Sequence, residues 1–364
     1  MTSTGIAFTG MPINAIPLAV IRDILAGGES VCARAGIPIA GGHTIDSVEP
    51  IYGLVAVGLV HPANVKRNAG ARPGDKLVLG KPLGVGVYSA ALKKEKLSQD
   101  DYRTMIASTT QLNTPGIALA LVGMPVNQLP LETIRKILEG GEAVCARAGI
   151  PVAGGHTIDS VEPIYGLVAI GLVDPSQLKR NAGARPGDRL VLGKPIGVGV
   201  MSAALKKEKL SAEGYAAMIA STTKLNTPGI ALGKLAAVHA LTDVTGFGLL
   251  GHLLEICRGS GAGATLDFAR VPLHPDVLEL ARAGYFTGAS ARNFAGYGGD
   301  VDLGAAIGDA ERALLTDPQT SGGLLVACAP DAVAQVLGIF RAEGFADAAE
   351  IGEITAGPAR VAVR

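Results

Sequence analysis

The sequence predicts a layered fold of alternating strands and helices, of the α/β or α+β class, built from two or three domains. Its 364 residues are enough for a sizeable core. Apolar residues make up 48% of the chain and charged residues 18%, as in folded globular proteins. From His239 onwards, short apolar runs alternate with segments of helical periodicity, and the connections between them are short.

The elements of this last part follow one another regularly. HALTDV, ATLDFARVPL, GGLLVACAP and ARVAV predict strands. GLLGHLLEICRGSG, HPDVLELARAG and DAVAQVLGIFRAEG predict helices, each of which stops at a glycine.

A long internal repeat precedes this part. Residues Gly10–Leu119 recur as Gly123–Leu232, with about four in five positions identical. Because the identity is higher and the period longer than in solenoid proteins, the repeat indicates a partial duplication. The first copy predicts a helix that stops at Gly36, then a short strand (IPIAGG) and a β-rich run (EPIYGLVAVGLV). A turn (NAGARPGD), another strand and a helix that Ser98 caps complete the copy.

Composition excludes several function classes. The chain has 32 basic and 32 acidic residues and no Trp, so neither a nucleic acid nor an anionic membrane is an expected partner. The apolar stretches are too short to span a bilayer, and the N-terminus does not resemble a signal peptide, so we expect a cytoplasmic protein. The four cysteines have no metal-ligand spacing and are expected to be buried and reduced.

The repeated block GGHTID has the composition of a turn that cradles an anion, with bare backbone N–H groups, a hydroxyl and an acid. A plain tight turn between strands explains the same residues. His43 and His156 have no second histidine at ligand spacing, which argues against a metal role for either.

The segment TDVTGFG also allows two interpretations. Asp243 lies at the end of a predicted strand, beside glycines that begin a helix, where a carboxylate can hold Mg²⁺ and the helix N-terminus favours phosphate. An ordinary strand–turn–helix connection is the alternative. The letters Gly246–Gly251 also match GxGxxG with Asp267 downstream, which raises the hypothesis of a dinucleotide oxidoreductase.

A third polar segment, DPQTSGG (Asp317–Gly323), precedes an apolar strand. It predicts either a loop that faces a ligand or a plain connection. No Walker A, HExxH or GxSxG motif occurs, and no Ser-His-Asp arrangement can be assembled from the sequence.

Five segments in this order resemble selenophosphate synthetase, also called selenide, water dikinase: AGGHTIDSVEPIYGLVA, GDRLVLGKPIGVGV, ALTDVTGFGLLGHL, RNFAGYG and LLTDPQTSGGLL. The resemblance covers nearly all of Gly123–Arg364, and Gly10–Leu119 resembles part of the family a second time. It implies a two-domain architecture like that of aminoimidazole ribonucleotide synthetase. The N-terminal part would be incomplete here, and the α+β C-terminal domain complete.

The resemblance also implies a reaction. Members of this family convert ATP, selenide and water to selenophosphate, AMP and phosphate with Mg²⁺. It implies Asp243 as a magnesium-binding residue and the GGHT stretches as nucleotide contacts: Gly41, Gly42, His43, Thr44, Gly154, Gly155, His156 and Thr157. The family's reactive Cys or selenocysteine and its nearby Lys have no counterpart before Gly10, so no catalytic residue is assigned.

The repeat and the resemblance together predict four segments. Residues 1–60 and 123–174 would be partial N-terminal-domain segments, 61–122 a partial C-terminal-domain segment, and 175–364 the C-terminal domain. We expect a synthetase homologue of impaired activity that forms a homodimer. The alternative is a non-catalytic paralogue that assembles with an intact synthetase.

Overall fold

The structure is a computed structural model that divides into two units, Met1–Ile170 and Gly171–Arg364. It describes residues 4–12, 15–47, 50–57, 72–76, 81–110, 121–124, 129–150, 152, 156–159, 164–167, 174 and 177–364. The finer borders predicted from the sequence, after residues 60, 122 and 174, stay predictions.

In the first unit, each copy of the repeat, together with the few residues that precede it, forms the same small motif of one helix and three strands. The first copy contains β1 (Thr4–Met11), α1 (Leu18–Arg34), β2 (Ile39–Asp46) and β3 (Ile51–Val57). The second contains β4 (Leu121–Met124), α4 (Leu131–Arg147), β5 (His156–Asp159) and β6 (Ile164–Tyr165). In each sheet the first strand lies in the centre, parallel to the second strand and antiparallel to the third.

The same contact joins the helix and the sheet in both copies. A Cβ atom at Gly28 of α1 would lie 1.8 Å from the hydroxyl of Tyr52, and one at Gly141 of α4 would lie 1.8 Å from that of Tyr165. Only glycine lets the tyrosine ring approach the helix so closely. The same glycine–tyrosine contact between helix and sheet therefore forms in both copies of the repeat.

The prediction that GGHTID forms a turn, either one that cradles an anion or a plain tight turn between strands, was wrong. Strand β2 continues through Gly41 to Asp46, and its residues pair with β1, Gly41 opposite Ile6 and Thr44 opposite Thr9. The second copy is also a strand from His156 to Asp159. The paired glycines suggested a turn, but a neighbouring parallel strand satisfies the backbone here, and glycine is tolerated inside such a ladder.

A helical hairpin follows in each copy. In the first copy it consists of α2 (Val85–Lys93) and α3 (Gln99–Thr110), and in the second of α5 (Val198–Leu205) and α6 (Ala212–Thr222), which belong to the second unit. The predicted cap at the start of α3 is confirmed, since Asp101 N donates to Ser98 Oγ over 3.1 Å.

The second unit is built on one seven-stranded sheet of order β10-β13-β9-β12-β7-β11-β8. Its strands are β7 (Arg189–Leu192), β8 (Val238–Asp243), β9 (Gly263–Leu266), β10 (Val301–Leu303), β11 (Leu324–Cys328), β12 (Ala349–Thr355) and β13 (Val361–Val363). Its further helices are α7 (Pro228–Gly233), α8 (Gly248–Ser260), α9 (Val277–Arg282), α10 (Gly288–Tyr297), α11 (Asp309–Leu315) and α12 (Val333–Ala342).

Strand β11 separates two hydrophobic cores. Leu325 and Ala327 join the core that contains α8, whereas Val326 and Cys328 join the core that contains Phe340 of α12. Because successive side chains of a strand point to opposite faces, helices cover both faces of the sheet here. This double coverage explains why LLVAC reads as an unbroken apolar run.

Most predicted elements of this unit are confirmed, and β12 is the main strand that the sequence did not predict. Its residues AEIGEIT alternate charged and apolar side chains over a short stretch. The charged ones are paired: Glu353 accepts from Arg189 over 2.9 Å, and Glu350 from Arg270 over 2.9 Å. Pairing with β7 and β9, which the sequence cannot show, makes this segment a strand.

Two further expectations concern the cysteines and the membrane. All four cysteines are free and buried, as predicted. Within the described ranges, no helix has the length and apolar character needed to cross a bilayer.

The two hairpins allow a matched stability prediction. Val200 in α5 is fully buried, whereas its duplicate Val87 in α2 is 73% exposed. We expect Val200→Ala to lower the free energy of unfolding by about 2 kcal/mol, because it removes buried methyl groups and leaves a cavity.

Val87→Ala, the same chemical change at the exposed duplicate, is expected to stay within about 0.5 kcal/mol of the parent protein. Urea denaturation followed by circular dichroism measures both changes. Equal losses in the two variants would contradict the difference in burial.

Candidate functional site at one edge of the C-terminal sheet

The strand directions bring three polar segments to one edge of the seven-stranded sheet. Strand β11 runs antiparallel to both of its neighbours, β7 and β8. The ends of β7 and β8 therefore lie beside the beginning of β11, with Leu192 opposite Leu325 and Asp243 opposite Leu324. The loops that meet there are GKPIG after β7, VTGF after β8 and DPQTSGG before β11.

The DPQTSGG loop caps helix α5. Asp317 Oδ2 accepts hydrogen bonds from the backbone N–H groups of Gly199 (2.8 Å) and Val200 (3.3 Å). Gln319 Oε1 accepts from those of Gly197 (3.1 Å) and Val198 (3.2 Å). These four donors are the ones that a helix start leaves without intrahelical partners, so the two side chains complete the helix.

Glycine is required where this loop meets the helix. A Cβ atom at Gly199 would lie 2.3 Å from Oδ1 of Asp317. The glycine-rich exit of β7 is thus explained by the close approach of a carboxylate from another part of the same unit.

Asp317 is fully buried, and its environment is unusual for an acid. Burial raises the pKa of the Asp317 carboxyl to about 7, although hydrogen bonds from Gln319, Val200 and Gly199 act in the opposite direction. Oδ2 also accepts from Gln319 Nε2 over 2.8 Å, whereas Oδ1 has no hydrogen-bond partner within the described part of the chain. A carboxyl group with one unsatisfied buried oxygen favours its neutral form.

Lys194 ties the same loop to the α6 end of the hairpin. Its ammonium group donates to the carbonyl oxygens of Ser221 (3.1 Å), Lys224 (2.7 Å) and Ser321 (2.6 Å). Burial, with the charge of Lys224, lowers the pKa of Lys194 to about 8. Three carbonyl partners are what a buried ammonium group needs, which gives Lys194 a structural role.

Helix α10 fixes the loop that follows β8. Asn293 Nδ2 donates to the carbonyl of Gly246 over 2.8 Å, and the Tyr297 hydroxyl donates to that of Phe247 over 2.6 Å. Both side chains come from RNFAGYG, so this segment positions the glycine loop.

The DPQTSGG loop forms backbone hydrogen bonds with the first residues of the loop that follows β8. The N–H of Gln319 donates to the carbonyl of Thr245 over 3.0 Å, and that of Val244 donates to Gly323 over 2.9 Å. Gly248 has a φ of 70°, and a Cβ atom there would lie 2.6 Å from the carbonyl carbon of Thr316. Glycine is therefore required at the start of α8.

Asp243 lies exposed at the end of β8, at the predicted edge of the sheet. Across residues 177–364 and the other described ranges, no group of three or more His, Cys, Asp or Glu side chains could hold a metal ion. Phosphate-bound Mg²⁺ uses one or two carboxylates together with phosphate oxygens and water. Asp243 is one such carboxylate, which is too few protein ligands to hold the ion without phosphate oxygens, and no catalytic step is derived through a metal ion here.

The dinucleotide hypothesis is wrong for this fold. Three strands separate β8 from β9 in the sheet, whereas a dinucleotide-binding unit places its first two strands side by side. Packing explains the glycines, since a Cβ atom at Gly251 would lie 3.0 Å from the Tyr297 ring. Asp267 caps a short 3₁₀ turn by accepting from Ala269 N over 3.2 Å.

The structure places the proposed nucleotide contacts on two separate sheets of the first unit. Gly41, Gly42 and Thr44 are exposed on β2, which also contains His43. His156 and Thr157 belong to β5, and Gly154 and Gly155 lie outside the described residues. Their role in nucleotide binding stays a prediction.

Sequence reasoning missed the residues that join the three loops. Lys194, Asn293 and Tyr297 were not singled out, because each acts on a backbone carbonyl of a distant segment. The available signal was the presence of GKPIGVG, RNFAGYG and DPQTSGG in one chain, which indicates three segments with a common role but does not show their contacts.

The buried Asp317 predicts a pH dependence of stability. Its pKa in the folded state is about 7, above the value of about 3.9 for an unfolded chain. As the pH rises from 4 to 7, the unfolded chain loses this proton first, so folding is progressively disfavoured. Each unit of pKa difference corresponds to about 1.4 kcal/mol.

Asp317→Asn keeps an acceptor for the helix and removes the titration. We therefore expect the unfolding free energy of the parent protein, relative to Asp317→Asn, to fall between pH 4 and pH 7. Urea denaturation across this range measures the difference. A difference that stays constant with pH would contradict the elevated pKa.

Comparison with known proteins agrees with this architecture. The family described as AIR synthase related protein, N-terminal domain, matches residues 3–60 and 113–173. The family described as AIR synthase related protein, C-terminal domain, matches residues 185–364. The N-terminal match falls on both copies of the repeat, and the C-terminal match contains the whole seven-stranded sheet.

The most informative relatives are bacterial enzymes. The selenide, water dikinase of Paraburkholderia xenovorans (strain LB400) is 64% identical over 249 residues, which cover 68% of this chain and 70% of that protein. That of Burkholderia pseudomallei (strain K96243) is 65% identical over 249 residues, with the same coverage of 68% and 70%.

A solved structure supports the fold. The hydrogenase maturation protein HypE in complex with ATP has a TM-score of 0.50 and 15% identity, and the match covers 67% of this chain and 69% of that chain. The predicted architecture like that of aminoimidazole ribonucleotide synthetase is confirmed, and so is the resemblance drawn from the five motifs. The chain belongs to the selenide, water dikinase family, a family of phosphotransferases.

Proposed function

We propose that this protein takes part in the ATP-dependent phosphorylation of selenide to selenophosphate, with AMP and phosphate as the other products. The observation that carries the proposal is the meeting of three family motifs at one edge of the C-terminal sheet. Buried contacts between GKPIGVG, TDVTGFG and DPQTSGG build a rigid polar edge, as a site that must hold reacting groups requires.

The proposal assigns different tasks to the two units. The GGHT stretches would contact ATP, in the first copy through the exposed residues Gly41, Gly42 and Thr44. Asp243 would contribute one carboxylate to a magnesium ion whose other ligands include phosphate oxygens and water. A homodimer and a cytoplasmic location are part of the same proposal.

A second candidate function is assembly with an intact synthetase. It is favoured by apolar side chains that the first unit leaves exposed, such as Leu18 (76%) and Leu131 (78%) at the starts of α1 and α4. Large exposed apolar patches are typical of interaction surfaces. In this case the chain alone would turn over slowly or not at all.

The decisive experiment measures AMP released from ATP by the full chain with selenide and Mg²⁺. We expect selenide-dependent AMP formation that is slower than in an intact family member. Asp243→Asn should lower the rate about tenfold or more, because it removes the carboxylate proposed to hold the magnesium ion beside the phosphates.

Asp309→Asn is the matched control, since the Asp309 side chain is 88% exposed and pairs only with Arg312 of its own helix among the contacts described. A mixture with an intact synthetase that exceeds the sum of the separate rates would favour the assembly role. Both functions would be contradicted if the chain alone formed no selenide-dependent AMP and the mixture formed AMP no faster than the intact synthetase by itself.

A further inference from the structure

A hydrogen-bonded relay of three side chains lies beside the polar edge of the sheet. Thr245 Oγ1 is 3.1 Å from His252 Nε2, and His252 Nδ1 is 3.1 Å from Oε2 of Glu255. Both distances fall within the range of a hydroxyl, its general base and the acid that orients the base. The sequence did not reveal the relay, because Thr245 lies in a loop and the other two residues lie on α8.

The partners determine which atom carries each proton. The carboxylate of Glu255 is 38% exposed and accepts, so Nδ1 of His252 donates to it. Nε2 then has a free lone pair, and the Thr245 hydroxyl donates its hydrogen to that nitrogen. This arrangement leaves the lone pairs of the hydroxyl oxygen available to attack an electrophile.

The surroundings keep the relay in place. His252 is 7% exposed and packs at a centroid distance of 5.8 Å from the Phe247 ring. Thr245 is only partly buried. Its backbone carbonyl accepts a hydrogen bond from the N–H of Gln319. The base is thus enclosed, whereas Thr245 is only partly buried and lies two residues from the exposed Asp243.

Other hydroxyls of the unit show what a purely structural role looks like. Ser290 Oγ donates to the carbonyl of Ala313 over 3.0 Å, and Thr316 Oγ1 donates to that of Arg312 over 2.9 Å. Both occupy buried positions and satisfy helix backbone. Thr245 differs, because its partner is an oriented imidazole and it does not cap α8, whose N-cap residue makes no side-chain hydrogen bond.

We propose that Thr245 is a phosphoryl-acceptor site, activated by His252 and Glu255, that takes a phosphoryl group from a phosphoric anhydride such as ATP. The bond between Thr245 Oγ1 and phosphorus forms while the bond between phosphorus and the bridging oxygen of the donor breaks. The electron pair leaves with that oxygen, as ADP in the case of ATP. The hydroxyl proton passes to His252 Nε2, and the imidazolium is paired with Glu255.

The ATP arm of this inference rests on the proposed function, so the test also uses acetyl phosphate, which needs no nucleotide site. The full chain is incubated with each donor, digested with trypsin and analysed by mass spectrometry. Thr245 and Thr242 fall in the same peptide, and the Thr242 hydroxyl donates to the backbone carbonyl of Asp243 over 3.3 Å instead of to a histidine. Thr242 is therefore an internal control.

We expect phosphate on Thr245 about 100-fold faster than on Thr242, since a positioned base contributes rate factors of this order. His252→Gln should remove most of that advantage while keeping a hydrogen-bonding side chain, and Glu255→Gln should reduce it less. Thr245→Ser should retain labelling and Thr245→Val should abolish it. Melting temperatures of the variants establish that each is folded.

Equal labelling of Thr242 and Thr245, or an unchanged labelling rate in folded His252→Gln, would overturn the proposal. AMP formation without Thr245 labelling by either donor would also overturn it and leave the proposed function standing. Labelling by acetyl phosphate in a chain that forms no AMP would support the acceptor site while the proposed function fails.

Discussion

The burial of β11 between β7 and β8, with a hydrophobic core on each face, is the constraint on which the second unit depends. A strand covered on both faces has one register that serves both cores, because a shift of one residue would exchange every side chain between them. The antiparallel pairing then places the beginning of β11 next to the ends of both neighbours. Core packing thus fixes the position of the candidate site, and the directions of the three strands bring the polar loops together there.

Bringing polar loops into a buried corner has a cost that the molecule offsets with specific contacts. Asp317 and Lys194 are almost completely enclosed, and each would be strongly destabilising without partners. Gly199 and Gly248 permit the close approaches that create those partners, one with the carboxylate and one with a backbone carbonyl. The same rigidity holds Thr245 and His252 at hydrogen-bond distance, close in the chain to the exposed Asp243. A reactive hydroxyl requires a base that is held in place in this way.

The duplication separates what a sequence encodes locally from what its surroundings add. In the first hairpin Ser89 Oγ lies 3.9 Å from Met105 Sδ, and in the second the duplicate atoms, Ser202 Oγ and Met218 Sδ, are 3.8 Å apart. The same helical hairpin therefore forms in both copies. Yet Leu83 is 85% exposed, whereas its duplicate Ile196 is 2% exposed. Local hydrogen bonding and helix packing are properties of the segment, but burial of its outer apolar face is a property of the sheet beside it.

The sequence by itself determined the alternation of strands and helices, the duplicated motif and the family, because periodicity, glycine positions and ordered motifs depend only on neighbouring residues. It also located Asp243 at a strand end and DPQTSGG before a strand. Tertiary structure alone decided that GGHTID is a strand, that AEIGEIT joins the sheet, and that the GxGxxG letters serve packing. It also assembled the capping of α5 and the relay from Thr245 to Glu255. These features depend on pairing between residues far apart in the chain, and no local pattern encodes which strand will lie beside which.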